Sequence, residues 1–245
     1  MTTWLFDLGN SRLKCAPLRA DGEADVDAVR EIAHDGSAFA SFDVLPPAFE
    51  LAFVASVAGP ALTATLLDAL AQRCSRISLA RTQRRCDGVR IAYAQPRRLG
   101  VDRFLALLAA HARGAQPALV VGVGTALTID LIDADGLHRG GRIAPSPTLM
   151  RDALHRRAPH LPASGGDYVE FAADTLAGLA SGCDGAAIAL ITRSRALSDD
   201  LLGTPPRVLL HGGGGAALLP HLDGVIAAPA LVLEGLSRWS RVIAP

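Results

Sequence analysis

Short apolar runs alternate along the chain with longer segments in which apolar side chains recur every three or four residues. The first pattern predicts buried strands and the second predicts helices with one apolar face. We expect strands at residues 3–7, 13–18, 51–57, 118–123, 127–132, 207–210 and 230–233. We expect helices at residues 60–73, 103–113 and 174–197, and a last helix after residue 233. Strands that alternate with helices are typical of an α/β protein.

One combination of elements occurs twice. A strand, a glycine turn with a hydroxyl residue and a second strand occur in LFDLGNSRLK (residues 5–14) and again in VVGVGTALTID (residues 120–130). Coincidence can explain the likeness, because short apolar strands flank many turns, and so can duplication. Duplication predicts two similar lobes, which we place at residues 1–115 and 116–245.

The charge balance narrows the class of protein. Of the 245 residues, 24 are Lys or Arg and 24 are Asp or Glu, and half belong to the hydrophobic set. Nucleic-acid-binding proteins carry a basic excess, and disordered chains combine low hydrophobicity with high net charge. We therefore expect a folded protein without a nucleic-acid partner. Lys14 is the only lysine in the sequence, so its position is of interest.

Cysteine spacing and apolar runs indicate the compartment. The four cysteines stand far apart, without a CxxC pair, so neither a disulfide framework nor a zinc site is predicted. Asp7 and Gly9 interrupt the apolar start of the chain, unlike a signal peptide. The apolar run at residues 51–67 contains Gly59 and Pro60 and is too short to span a bilayer. We expect a cytoplasmic protein without a membrane partner.

The first candidate site is the string DLGNS at residues 7–11. A glycine after a buried strand lets backbone N–H groups approach an anion, and a nearby carboxylate can hold hydrated Mg²⁺. These features suit a nucleotide phosphate. Taken alone, the string is also typical of a hairpin turn.

A second candidate lies at residues 96–103, PRRLGVDR, which follow Tyr93. Asp102 could accept a hydroxyl proton, and Arg103 could hold a carboxylate or phosphate. The alternative is an N-cap Asp beside a surface Arg. Further glycine-containing strings lie at residues 124–128, 140–145 and 212–215. Successive glycines cost chain entropy, so a ligand that approaches the backbone is one explanation and a flexible loop is the other.

Together, and in this order, the strings resemble the type III pantothenate kinases of the acetate-kinase and actin superfamily. The matching strings are DLGNS, Tyr93 with QPRRLGVDR, GTALT, GGRIAPS, Thr175 after Asp174, HGGGG and LVLEGL. They span almost the whole chain. The resemblance implies a duplicated ribonuclease-H-like fold, also called the actin-like ATPase fold, with two lobes of mixed sheets flanked by helices. It further implies a homodimer that phosphorylates pantothenate to 4'-phosphopantothenate, the first step of coenzyme A biosynthesis.

The resemblance also implies roles for individual residues. The residues that match ATP-binding positions are Asp7, Leu8, Gly9, Asn10, Ser11 and Thr125, to which we add Lys14. The residues that match pantothenate-binding positions are Tyr93, Gly100, Val101, Asp102, Arg103 and Thr175. Asp102 matches the catalytic base, and Asp7 is the candidate to hold Mg²⁺ through water. Phosphoryl transfer depends on positioning and charge stabilisation, which agrees with these residue types.

Three departures from the family pattern matter. Gly122 stands where the family commonly has an Asp that binds a monovalent cation, so a requirement for K⁺ or NH₄⁺ is in doubt. Gln95 replaces an Asn, and Ser146 replaces a Gly that could require a positive φ. Our hypothesis for Lys14 is that its ammonium lies near the phosphates and supplies part of the missing positive charge.

Two other functions remain open at this point. The superfamily contains kinases of other small hydroxy acids, although Tyr93 and Thr175 match the pantothenate pocket. A nucleotide-binding regulatory or accessory protein without catalysis is the second alternative. The presence of both Asp102 and Arg103 favours an enzyme.

Overall fold

The computed structural model describes residues 2–243, and in this part of the chain two five-stranded sheets are flanked by helices. The strands are β1 Thr3–Leu8, β2 Arg12–Pro17, β3 Arg30–Ala33, β4 Phe49–Ser56, β5 Cys74–Leu79, β6 Arg85–Cys86, β7 Val89–Arg90, β8 Ala118–Val123, β9 Ala126–Ile132, β10 His138–Pro145, β11 Arg207–His211 and β12 Val225–Ala227. The helices are α1 Pro60–Ala71, α2 Val101–Ala112, α3 Pro147–Arg157, α4 Thr175–Leu202, α5 Gly215–Leu218 and α6 Leu231–Ile243.

The two large sheets have the same topology. The first has the strand order β3-β2-β1-β4-β5 and the second β10-β9-β8-β11-β12. In each sheet the central strand is antiparallel to the strand that follows it in sequence and parallel to a later strand of the same unit. The predicted α/β fold with two mixed sheets is confirmed. The shared strand order agrees with duplication rather than with coincidence.

The chain divides into two compact units. The first extends to Ala115 and also contains Asp135–His138 and the segment from Ala230 onward. The second contains Gln116–Ala134 and Arg139–Pro229. The lobe boundaries at 1–115 and 116–245 stay a prediction.

In the first unit, side-chain alternation along β1 builds one side of the core. Trp4, Phe6 and Leu8 are buried in the same cluster. Because consecutive side chains of a strand point to opposite faces, these three lie on one face of the sheet. α1 adds Leu62, Leu66 and Leu70 at four-residue spacing, which is the period of a helix with one buried face.

On the other face of this sheet, one element differs from the prediction. We expected a strand at residues 230–233, but Leu231 begins α6, which packs closely against α2. Leu231, Val232, Leu233 and Leu236 are all buried. A helix buried on most of its sides shows no polar alternation, so a short apolar run does not distinguish it from a buried strand.

In the second unit, β8, β9 and β11 contribute alternate apolar side chains to a core that includes Ala187 and Ile191 of α4. α4 begins one residue after the predicted start and extends five residues beyond the predicted end, to Leu202. Gly203 caps it in the left-handed conformation, with φ +66°. No heavy atom outside the backbone of the helix itself lies within 4 Å of the position that a Cβ of Gly182 would occupy.

Among residues 2–243, α4 is the one helix long and apolar enough to pass for a membrane span. Only 22% of its apolar window is buried within the chain. Length and composition alone are weak evidence for a membrane, because helices that pack against protein have the same composition.

Candidate functional site

The hairpin between β1 and β2 positions the first candidate residues. Asp7 lies near the carboxyl end of β1, directly opposite Lys14 of β2. Leu8 is fully buried in the core, so only its backbone faces the turn. Gly9 donates its N–H to the carbonyl of Arg12 over 3.1 Å, which closes the turn and leaves Asn10 and Ser11 exposed.

A residue that the sequence did not indicate supports this turn. His34, just after β3, places its Nε2 3.1 Å from the carbonyl oxygen of Gly9. Its ring also packs edge-on against Phe39, with centroids 5.6 Å apart. His34 therefore fixes the position of the turn without belonging to the string DLGNS.

Asp7 has an unusual ionisation equilibrium. Burial raises the pKa of its carboxyl from 3.8 to about 7, with a further upward contribution from the negative charge of Asp102 and an opposing one from Lys14. Asp7 on β1 and Asp102 at the start of α2 are thus close enough for their charges to interact. As whole residues, Asp7 and Asp102 have intermediate solvent exposure.

Lys14 interacts with carboxyl groups on both sides. Its Nζ lies 3.5 Å from Oε1 of Glu31 on β3, and its charge acts on Asp7. Its side chain is mostly buried, whereas that of Glu31 is 43% exposed. The ammonium is therefore held beside Asp7 in a partly desolvated environment, where a charge interacts more strongly than in water.

Asp102 lies in the first turn of α2 but does not cap it. Gly100 is the N-cap and Asp102 the second helical residue, so the alternative of an N-cap Asp is wrong. Its Oδ1 accepts a hydrogen bond from the backbone N–H of Arg103 over 2.8 Å. A Cβ at Gly100 would lie only 2.5 Å from the same oxygen, so glycine at 100 leaves room for this carboxylate.

Arg103, Tyr93 and His138 form a polar cluster in the first unit. Arg103 is 6% exposed and donates from Nη1 to the Tyr93 hydroxyl over 3.4 Å. The Tyr93 ring is stacked with the ring of His138, with centroids 6.0 Å apart and planes 11° apart. The backbone N–H of Ala92 donates to Nδ1 of His138. The sequence did not indicate His138, because no motif contains it.

In the second unit, Thr125 lies in the exposed turn between β8 and β9. The N–H of Gly124 donates to the carbonyl of Ala126 over 2.9 Å, and the Ser146 hydroxyl donates to the carbonyl of Thr125 over 3.0 Å. Ser146 also accepts the N–H of Leu149 and so caps α3. Its φ is −71°, so this position does not require glycine.

The glycines at 212–215 have an internal explanation. Gly212 has φ +90°, and a Cβ there would collide with the carbonyl of Val123 on β8. The N–H of Gly214 donates to that carbonyl over 3.0 Å. The close approach is thus between two segments of this chain, and a ligand is not needed to explain the glycines at 212 and 214.

Thr175 is the first residue of α4 and is exposed. Asp174 precedes it as the N-cap and accepts the N–H of Ala177 over 2.9 Å. The first unit therefore contains Asp7, Lys14, Tyr93 and the residues of the string at 100–103, and the second contains Thr125 and Thr175. Within residues 2–243, no group of three or more His, Cys, Asp and Glu residues could hold a metal ion.

Comparison with known proteins supplies independent information. A family model described as type III pantothenate kinase matches residues 4–196. A type III pantothenate kinase of Stenotrophomonas maltophilia (strain K279a) is 59% identical over 240 residues, which cover 98% of each chain. A second, from Xanthomonas euvesicatoria pv. vesicatoria (strain 85-10), is 55% identical over 246 residues, which cover 100% of this chain and 99% of the relative.

Solved structures are similar in fold. One, from Campylobacter jejuni, is provisionally assigned as a Baf family transcriptional activator; it is 19% identical, has a TM-score of 0.64, and covers 97% of each chain. Another, from Sinorhizobium meliloti, is provisionally assigned as a 2-dehydro-3-deoxygalactonokinase; it is 18% identical, has a TM-score of 0.59, and covers 99% of each chain. At such identities the likeness concerns the fold alone.

Proposed function

We propose a residue-level account of catalysis on the premise that this chain belongs to the type III pantothenate kinase family. The protein is a phosphotransferase that uses ATP to phosphorylate pantothenate in coenzyme A biosynthesis. The observation that carries this conclusion is identity of 55–59% to kinases of this family over nearly the full chain. A regulatory protein without catalysis is not favoured.

Asp102 is the general base of our proposal. Transfer of the phosphoryl group requires loss of the proton from the primary hydroxyl of pantothenate, and a positioned carboxylate can accept it. Gly100 leaves space for the carboxylate, and the N–H of Arg103 orients one of its oxygens. The second oxygen is then the one directed to the substrate hydroxyl.

Arg103, Tyr93 and Thr175 bind the rest of pantothenate in this proposal. A guanidinium donates paired hydrogen bonds to a carboxylate, and pantothenate carries one. Arg103 is nearly buried, so a hydrogen bond to this group is shielded from water. The ring of Tyr93 packs against both Arg103 and His138, and this packing limits its movement.

The ATP phosphates are assigned to the backbone of residues 8–11, to Lys14 and to Thr125. Mg²⁺ accompanies ATP and neutralises charge on its phosphates. Asp7 offers one carboxylate, which suits an ion that keeps several waters and is bound mainly through substrate phosphates. Proximity to Mg²⁺ and Lys14 favours the ionised form of Asp7, in opposition to its burial.

The test is release of ADP, measured in a coupled assay with ATP, Mg²⁺ and pantothenate. We expect Asp102→Asn to lower kcat by about 10²–10⁴-fold, the usual contribution of a general base, with little change in the KM for ATP. Asp68→Asn, which removes an exposed carboxylate of α1, is the matched control. Full activity of Asp102→Asn would exclude the base, and no turnover by the wild-type protein would exclude the kinase.

Lys14→Ala tests whether the ammonium of Lys14 helps to bind the ATP phosphates. If Lys14 contributes positive charge to the phosphates, the KM for ATP rises while that for pantothenate changes little. An unchanged KM for ATP would show that Lys14 serves only its ion pair with Glu31.

We further propose that the protein is a homodimer that uses the exposed face of α4. Gly182, Ala186 and Ala189 are exposed and follow one another at spacings of four and three residues, so they form one small apolar stripe. A helix of this hydropathy with little internal burial is stabilised when a second surface covers it. Light scattering should give twice the chain mass for the wild type and a monomer for Ala189→Glu. Ala61→Glu on α1 is the control that leaves the dimer intact.

The cytoplasm is the proposed compartment. All four cysteines are free thiols, and burial raises the pKa of Cys15 to about 12 and that of Cys86 to about 11. Such thiols form little reactive thiolate, which suits a reducing environment. The resemblance also implies a monovalent cation, but the surroundings of Gly122 do not fit one, and no step of this proposal uses it.

A further inference from the structure

Gly122 lies in the middle of three adjacent strands. It is paired with Thr128 of β9 on one side and with His211 of β11 on the other. Directly paired residues of neighbouring strands project to the same face of a sheet. Thr128 and His211 therefore flank Gly122 on the face opposite the core cluster that contains Val121 and Val123.

The space above Gly122 is already filled. A Cβ at this position would lie 2.7 Å from Oγ1 of Thr128 and 2.9 Å from Nε2 of His211. Its distance to Cε1 of His211 would be 3.0 Å. Carbon atoms do not approach other heavy atoms so closely without displacing them, so a side chain at 122 is excluded while both neighbours keep their positions.

These atoms do not make a cation site. Hard cations are held by several oxygen ligands, usually with a carboxylate that supplies charge. The side chains nearest to this position offer one hydroxyl oxygen and an imidazole, and glycine itself has no side-chain ligand. The donor set thus disagrees with the monovalent cation that the family resemblance implies at this position.

The same three residues adjoin the two glycine turns of the second unit. Gly124 and Thr125 follow β8, and Gly212 follows His211 directly. The N–H of Gly214 bonds to the carbonyl of Val123, so the ends of β8 and β11 are tied together one residue beyond Gly122. The side chains that cover Gly122 therefore lie on the sheet beside the strand ends that present Thr125.

We propose that the imidazole of His211, with the hydroxyl of Thr128, takes the place of the monovalent cation in this chain, so that the kinase works without K⁺ or NH₄⁺. His211 is a positioning residue in this proposal: its ring occupies the space beside Gly122, next to the joined ends of β8 and β11. The measurement of ADP release depends on the proposed kinase function, whereas the measurement of melting temperature does not.

The first test compares salts at constant ionic strength. ADP release by the wild-type protein is measured in tetramethylammonium chloride and in the chlorides of K⁺, NH₄⁺ and Na⁺, and the melting temperature is measured in the same buffers. We expect kcat/KM values within threefold of one another and no saturable rise in the melting temperature. Activation above threefold by K⁺ or NH₄⁺, or a saturable rise, overturns the proposal.

The second test addresses His211 through stability alone. Gly122→Ala should lower the melting temperature in the wild-type background, because the new methyl group meets His211 and Thr128. The same change should lower it less in a His211→Ala background. Equal losses in the two backgrounds would show that His211 does not fill this space and would overturn its role.

The third test introduces at position 122 the aspartate that the family commonly has there. The double variant Gly122→Asp/His211→Ala, checked for folding by circular dichroism, should show K⁺ activation or K⁺-dependent melting that the wild type lacks. A folded double variant that is indifferent to K⁺ counts against His211 as the group that excludes the ion. If no protein turns over pantothenate in any salt, the kinase assignment fails, while the melting experiments still decide the inference.

Discussion

Removal of the Asp7 carboxyl should change how the stability of the protein depends on pH. In Asp7→Asn the side chain keeps its size but cannot ionise. Between pH 3.8 and about 7 the unfolded wild-type chain loses the Asp7 proton while the folded chain keeps it. The folded state then binds more protons, so its stability falls as pH rises through this window and stays lower above it.

The size of the effect follows from the pKa shift. A rise from 3.8 to about 7 is about three pKa units, each equivalent to about 1.4 kcal/mol, or about 4 kcal/mol in total. Asp7 has intermediate solvent exposure as a residue, and solvent screens such interactions, so we expect about half of this value, about 2 kcal/mol. Asp7→Asn should therefore be more stable than the wild type at pH 8 by about 2 kcal/mol.

Two buried tryptophans allow a direct measurement. Trp4 is on β1 and Trp239 is on α6, so both report unfolding of the first unit. Urea unfolding would be followed by fluorescence from about pH 4 to 8.5, with Asp68→Asn as the control for loss of one carboxylate. The difference between Asp7→Asn and the wild type should grow with pH. A difference that is constant within about 0.5 kcal/mol would refute a raised pKa for Asp7 in the folded state.

Three other outcomes follow from the contacts. Arg103→Lys should raise the KM for pantothenate at least about tenfold in the ADP-release assay, because an ammonium cannot form the paired hydrogen bonds of a guanidinium; an unchanged KM would place pantothenate elsewhere. Ser146→Ala should lower the free energy of unfolding by about 1 kcal/mol through loss of the α3 cap, measured with urea, and unaltered stability would show that the cap contributes nothing. Gly235→Ala, although alanine favours helices, should cost about 3 kcal/mol or more, because its methyl group would collide with the carbonyl of Leu105; a variant that melts at or above the wild-type temperature would contradict this packing.

Much of the fold was predictable because its central strands are regular. β8 begins and ends at the predicted residues, and β1, β4 and β11 differ from prediction by one or two residues at either end. Each of these strands has at least three consecutive buried side chains and is therefore buried on both faces, which gives a clear apolar run in the sequence. β10 was not predicted, because most of its residues are exposed or partly exposed and it lacks a continuous apolar run.

The sequence indicated candidate residues next to glycine turns, but it did not indicate residues that only the folded chain brings to the site. Asp7 lies two residues before Gly9 and Thr125 directly follows Gly124, each near the end of a strand, a position that sequence alone can indicate. His138 is buried at the first position of β10, and only the folded chain brings it to the Tyr93 ring. The sequence also did not indicate the backbone conformation of Ser146, because its φ is set by its position as the N-cap of α3.

The placement of α6 has a consequence for the order in which the protein folds. Trp239 packs edge-on against Phe53 of β4, and Gly235 lies against Leu105 of α2, so helix and partners are separated by most of the chain. A ribosome must therefore synthesise residues 231–243 before the core of the first unit can close. Residues 116–229 contain all of the second unit, which can fold earlier. The first unit, most of which is synthesised first, is thus the last to finish folding. Until α6 is synthesised, α2 has no helix to pack against on that side.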